Sequence, residues 1–335
     1  MRKATTLLIG LLWGCLHLVA QEADSTSRHA LFGVDYTGEV QTDFRQALQA
    51  NLLQLHADVP LSKTLSFQAA SISTFASREE TLANDLQSYS NINAENIPFA
   101  LSVAGLTWQV NERHSVFAGI RRTDEDYFCS DGLALFTNSS CGIFPTISSN
   151  FDIGVFPNAA LGLHYAYERE DLHLQASLYN GVGHHHFTGS DNVFRFRPKT
   201  DGIFALGQAE YRYRGSHYFV GASVHTRPSV QPTVWAYAEQ ALLPRLTLLA
   251  AYGHAFGRDI ACRDFCGLGA RYALARTEFG LFTDYTRVYG IDEWATELVC
   301  SFRLTDFLTL IPVVHLLTTD GNTKCIGILR MELGI

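Results

Sequence analysis

The sequence predicts an all-β protein: a transmembrane antiparallel β-barrel of about sixteen strands, with one long loop folded inward as a constriction. Three observations lead there. From about Ala30 to Ile335 the chain runs in stretches of alternating apolar and polar or small side chains, each close to the roughly 9–11 residues that a tilted strand needs to cross a bilayer. The connections between them alternate between short and long, as hairpins in a membrane barrel do. No stretch after the N-terminus approaches 18 uninterrupted apolar residues, so a helical span is not expected.

The N-terminus reads as an export signal. Met1-Arg2-Lys3 precedes an apolar run from Ala4 to Ala20, and Gln21-Glu22-Ala23-Asp24 follows it. This is the pattern of a secretory signal peptide, residues 1–20, cut after Ala20 to leave 21–335 as the barrel. Trp13-Gly14-Cys15-Leu16-His17 interrupts the run, which argues against a membrane anchor, and the bulky Trp13 argues against a lipoprotein box at Cys15. Hydrophobic residues make up 47% and charged residues only 17%, below the roughly 25% of a soluble domain. Export, no anchor helix and an apolar alternation together point to a bacterial outer membrane, with its lipid as the surroundings. Loss of Arg2 and Lys3 takes the formal net charge from −8 to −10. That balance argues against nucleic acid as a partner.

Taken in order, the alternation places strands near 30–41, 48–59, 64–75, 97–110, 114–122, 158–169, 171–180 and 202–213. The remaining eight fall near 216–226, 231–240, 245–256, 265–274, 277–286, 293–304, 306–317 and 324–335. The last is the clearest: Gly327, Leu329, Met331, Leu333 and Ile335 share one face, and Ile328, Arg330, Glu332 and Gly334 the other. Leu161, Leu163, Tyr165 and Tyr167 oppose Gly162, His164, Ala166 and Glu168 in the same way. Short turns are expected at 60–63, 111–113, 169–170, 214–215, 243–244, 275–276 and near 305, and longer loops at 76–96, 123–157, 180–201, 257–264, 287–292 and 318–323. An even strand count puts both termini at the short-turn end.

The 123–157 connection is too long for a simple link, since loops above about 12–15 residues are usually functional or disordered. It carries Phe128, Leu133, Leu135, Phe136, Ile143, Phe144, Phe151 and Phe156, enough apolar surface to fold against a wall. It is the third connection on the long-loop side, counting the link between the first two strands, and is expected to fold into the lumen.

From Asp85 to Gly181 the chain resembles the carbohydrate-selective, OprB-like porin family. The resemblance is carried by Asp85-Leu86-Gln87, Ser90-Asn91-Ile92, Ala118-Gly119-Ile120, Asp124 with Tyr127-Phe128, and Leu135 through Ile143. Pro145-Thr146-Ile147-Ser148, Phe156-Pro157, Ala160-Leu161-Gly162, Leu174-Gln175-Ala176 and Tyr179-Asn180-Gly181 complete it. It implies a sixteen-stranded outer-membrane barrel that admits small saccharides by diffusion past the inward loop. The chain departs from the family in its shorter length, in Ile120 where a lysine is usual, and in ending on Ile335 rather than an aromatic. A general porin, or a structural or secretion-associated barrel, remains the alternative.

A sugar pore needs aromatic faces for the C–H side of the ring and polar groups that replace water at the hydroxyls, while binding stays weak enough for release. Arg121 shares a face with Phe117 and Gly119 and is expected to point inward. Asp124, Asp126 and Asp131 are the expected acidic side of a transverse field, Asn138 and Ser139 the hydroxyl partners, and Phe136 the stacking platform. Six cysteines remain after cleavage, and Cys129 with Cys141 is the expected loop disulfide; Cys262 with Cys266 would pinch a second loop. His184-His185-His186 reads as part of an exposed loop rather than a metal site, because consecutive histidines in a strand cannot face one ion. No Gly-x-Ser-x-Gly nucleophile elbow occurs, so no enzyme, cofactor or metal is expected. Porins of this width often assemble as homotrimers, but no segment here marks an interface.

Overall fold

Alternation sorts each strand's side chains onto two faces, and closing the sheet commits those faces to two environments. The computed structural model describes residues 29–78, 80–189, 191–257 and 259–335, so the expected signal peptide lies outside the described residues. Sixteen strands pair antiparallel around a closed barrel. They are β1 (Leu31–Thr42), β2 (Ala47–Pro60), β3 (Leu65–Ala76), β4 (Ala100–Gln109), β5 (His114–Arg121), β6 (Ala160–Arg169), β7 (Leu172–Asn180) and β8 (Ile203–Tyr213). The second half comprises β9 (Ser216–His225), β10 (Gln231–Leu243), β11 (Leu246–Ala255), β12 (Cys262–Ala273), β13 (Thr277–Val288), β14 (Ile291–Arg303), β15 (Leu308–Thr319) and β16 (Asn322–Gly334). Closure comes from β1 against β16, in register from Asp35 opposite Gly334 to Thr42 opposite Gly327. No described helix is long and apolar enough to cross a membrane.

The outward face is an apolar belt. Leu163, Val220, Leu248, Leu268, Leu281, Leu298, Leu316 and Leu329 are all exposed, while their sequence neighbours Phe219, Leu249, Phe282, Val299 and Ile328 are buried. Rings mark both rims: Trp108, Tyr213 and Tyr272 near the short turns, and Tyr252 and Trp294 near the other end. An apolar band between aromatic girdles is the surface that lipid selects. Roughly 25 cal/mol per Å² of apolar surface makes lipid, not water, its stable surroundings.

Two expected long loops prove to be tight turns. β13 runs on to Val288 and β15 to Thr319, leaving Tyr289–Gly290 and Asp320–Gly321 as two-residue hairpins. Both members of each pair have positive φ (51° and 85°; 48° and 76°), the type I′ geometry whose twist matches paired strands. The long connections gather among the first eight strands, at 77–99, 122–159 and 181–202. At the approach of β4 to β5, Gly119 faces Gly105, and a Cβ on Gly119 would lie 2.3 Å from the Ala104 carbonyl oxygen. Glycine is therefore required there.

Two loops of the protein itself occupy much of the interior. Phe128, Phe136, Phe144 and Ile147 from the 122–159 loop join inward side chains of the wall in one apolar cluster. Phe128 lies 4.8 Å from Phe144 and 4.9 Å from Trp235, ring centre to centre, and Phe144 lies 4.8 Å from Phe265. Leu82, Tyr89, Ile92 and Ile97 of the 77–99 loop belong to the same cluster. The inward fold of the 122–159 loop thus matches expectation; that of 77–99 is an addition to it.

Candidate functional site

The inward loop divides into an arm and a tip. Its arm begins where β5 ends: Arg121 points inward, its guanidinium 4.9 Å from the Phe117 ring centre. Two parallel bonds tie it to Asp126, with Nε donating to Oδ2 at 2.6 Å and Nη2 to Oδ1, and Nη1 donates to Gln68 Oε1 at 3.3 Å. Such a fork holds both charges in fixed geometry. Arg122 pairs with Glu125 and lies 3.6 Å from Asp124. Burial raises the Glu125 carboxyl above its usual value, against the opposing pull of Arg122.

Beneath this arm, toward the short turns, two cavities open. One of about 360 Å³ is lined by Gln68, Arg121, Glu125, Asp126, Gln175 and Glu210, among others. The second, of about 760 Å³, is lined by Asp124, Tyr127, Asp131 and Glu239 and reaches the turn at Arg214–Gly215. Cys129 and Arg212 line both. In the smaller one Glu112, Glu125, Asp126, Glu168 and Glu210 meet only Arg113, Arg121 and Arg212, so acids outnumber permanent cations.

The tip behaves differently. Two glutamates on the inner wall accept its backbone hydrogens, and a third accepts one from the neighbouring inward loop. Glu297 accepts from Thr137 N–H at 2.7 Å, from Asn138 N–H at 3.1 Å and from Thr137 Oγ1 at 3.0 Å. Glu239 accepts from Gly132 N–H at 3.2 Å, and Glu293 from Leu86 N–H of the neighbouring loop at 2.8 Å. Charge-assisted bonds of this kind are about twice as strong as neutral ones. The two loops also bind one another: Asn91 N–H donates to the Thr137 carbonyl at 2.7 Å, Ser139 N–H to that of Ser88 at 3.0 Å, and Ser140 Oγ to Gln87 Oε1 at 2.6 Å. Asn91 Oδ1 in turn accepts from Arg330, which pairs with Glu39. The wall glutamates escaped the sequence reading because an inward acid on a strand looks the same whether water or a loop faces it.

These contacts sort the expected site residues. Arg121, Asp124, Asp126 and Asp131 line the cavities. Arg121 and Asp126 are bonded partners on one wall, however, so the expected transverse field between opposite walls does not run through them. Phe136 is not a stacking platform: it is 1% exposed and packs 5.3 Å from Phe282. Asn138 is 2% exposed, with its side chain accepting from Ser140 N–H and donating to Asp284. Ser139 is half-buried and acts through its backbone.

The expected disulfides are absent among the described residues, and all six cysteines there are free. Cys129 Sγ turns toward the carbonyls of Asp124, Glu125 and Tyr127, while Cys141 is buried in the turn Ser139–Cys141. Burial and the surrounding carboxylates push the Cys129 thiol up to about 12. Cys262 and Cys266 both lie on β12, where a register shift between Cys262 and Phe265 turns Cys262 inward and leaves Cys266 on the outer face. Four residues of extended strand span about 13 Å, far beyond disulfide reach.

A closed barrel of sixteen antiparallel strands, apolar outside and narrowed within by its own loops, has the architecture of the outer-membrane porins. Among solved structures the chain is similar to OprB of Pseudomonas putida in its high-pH structure, at 15% identity, a TM-score of 0.79, and coverage of 92% of this chain and 94% of that one. It is also similar to a mutant of the Rh. blastica porin (10% identity, TM-score 0.64, 91% and 100% covered). A loop-deleted OmpT, an outer membrane protein of Vibrio cholerae, aligns at 9% identity and a TM-score of 0.62 over 91% and 99%. At these identities the likeness is one of fold. No family model and no curated protein matches the sequence.

Proposed function

We propose that the protein is a porin of a bacterial outer membrane, passing small hydrophilic solutes by diffusion, with small saccharides as the preferred class. The observation that carries this reading is the polar space of about 360 Å³ beneath a loop that the barrel wall holds in the lumen. Fixed amides, hydroxyls and carboxylates there (Gln68, Thr107, Gln109, Ser115, Gln175 and Glu210) can replace the water around a sugar's hydroxyls without binding it tightly. The resemblance of residues 85–181 to sugar-selective porins, and the fold shared with OprB, support the saccharide class.

One observation favours a second reading, a general porin. The loop's expected stacking ring, Phe136, is spent on the core. Phe117, in the smaller cavity, is 2% exposed and lies beside Arg121. Liposome swelling with the mature chain separates the two. A saccharide pore admits glucose and maltose faster than uncharged solutes of equal size; equal rates establish the general porin, and no swelling with a folded barrel overturns both.

A further inference from the structure

The 181–202 connection carries chemistry that a diffusion pore does not use. Residues 183–186 are not strand: His184 makes a single bridge to Ala159, and the chain then turns through the small hairpin of Phe187–Thr188 with Asp191–Asn192. The turn frees consecutive histidines from pointing to opposite faces. His185, His186 and Asp191 bring one ligand atom each to within 4.8 Å of one another.

The segment is anchored. His184 N–H donates to the Ala159 carbonyl at 2.8 Å and Gly183 N–H to that of Asp152 at 2.8 Å. Val193 is fully buried with Ile120 and Ala159, and the Phe187 ring stacks 6.0 Å from Phe99. The cluster therefore sits on a fixed base rather than on a loose loop tip.

His185 is oriented as a metal ligand is. His185 is 9% exposed, and its Nδ1 lies 2.7 Å from Asn158 Oδ1. With Nδ1 donating there, Nε2 carries the lone pair, and it is buried with no hydrogen-bond partner among the described residues. That nitrogen lies 3.4 Å from Glu95 Oε1, which brings a further carboxylate oxygen beside it. His184 Nδ1 lies 2.9 Å from Asp191 Oδ1, which steadies that carboxylate while Oδ2 lies 3.8 Å from His186 Nε2. A ligand whose remaining polar atom is held by a second group is the usual setting of a bound metal.

We propose that His185, His186 and Asp191 form a zinc site, with His184 and Asn158 orienting the ligands and Glu95 within reach as a further carboxylate. Two imidazoles and one carboxylate are a zinc donor set. Ligand atoms around tetrahedral zinc lie roughly 3.3 Å apart, so the three must draw in by about an ångström or more. His186 is exposed and can make that movement. The bound ion would tie the β7–β8 loop to the segment before β4 and, through Asn158, to the return arm of the inward loop.

The test uses the untagged mature protein, refolded in detergent and dialysed against zinc chloride alone, with metal counted by mass spectrometry. One zinc per chain is expected. The triple variant His185→Gln, His186→Gln, Asp191→Asn should lose it, and His184→Ala should weaken binding roughly 10–100-fold. His56→Gln, at the exposed His56–Asp35 pair, should keep it. Zinc-edge absorption of the wild-type protein reports independently of whether the variants fold, and two imidazoles with oxygen are expected. No stoichiometric zinc, zinc retained by a folded triple variant, or fewer than two imidazoles would each overturn the site.

Discussion

The arm of the inward loop, residues 121–131, and its tip, residues 132–151, belong to one connection yet meet different surroundings. The arm's carboxylates and Arg121 line the cavities. The tip's rings join the apolar cluster, and its backbone hydrogens end on Glu239 and Glu297. The difference teaches that a pore loop must be bolted before it can select. Aromatic residues and buried acids hold it, which leaves charges and amides on the other side to meet solute.

Breaking the bolt should give the largest effect. Glu297→Ala leaves the Thr137 and Asn138 hydrogens unpaired in a buried setting, a loss of about 1–3 kcal/mol for each orphaned donor. Phe136→Ala should cost a similar ~3–5 kcal/mol through its cavity. Both are expected to lower the melting temperature of the barrel and to open residues 123–157 to protease. If either variant keeps wild-type melting and protection, the tip is not the anchor.

A smaller effect concerns pH. Asp85 sits in the second inward loop facing Glu293 and, more weakly, Lys324; burial foremost, then the Glu293 charge, raises its carboxyl from 3.8 to about 7. A folded value above the unfolded one means the docked loop holds the proton more tightly. Docking is therefore favoured at low pH and weakens as pH rises from about 4 through 7. Cleavage within 77–99 should be faster at pH 8 than at pH 5, and Asp85→Asn should flatten that profile. The smallest effect is expected of Ser139→Ala: its contacts run through the backbone, so melting and conductance should stay at wild-type values.

How much of this was legible in the sequence follows from the same contrast. The outward faces were readable throughout, because lipid imposes one rule on every strand; Leu329 and Met331 against Arg330 illustrate it. In β10 the usual contrast is reversed, because the inward Trp235 and Tyr237 pack on the loop and are larger and more apolar than the outward Ala236 and Ala238. The turns at 289–290 and 320–321 read as long loops because their flanking residues continue the strands on polar side chains such as Asp292 and Thr319. Within the site, charge was legible: Arg121 and the three aspartates reach the cavities. Phe136 and Asn138 were not, since a ring or an amide suits a binding face and a packed core equally well. Cysteine spacing, likewise, says nothing of which way Sγ turns, and Cys129 turns to its own backbone.

The most direct test of the arm as the solute-facing side is the reversal potential of single channels in a salt gradient. Acids outnumber arginines along the smaller cavity, so the wild-type channel should favour cations. Arg121→Ala removes one of three arginines there and frees Asp126, so conductance should change and cation preference should rise. Folded Arg121→Ala channels with wild-type conductance and reversal potential would place the solute path elsewhere in the barrel.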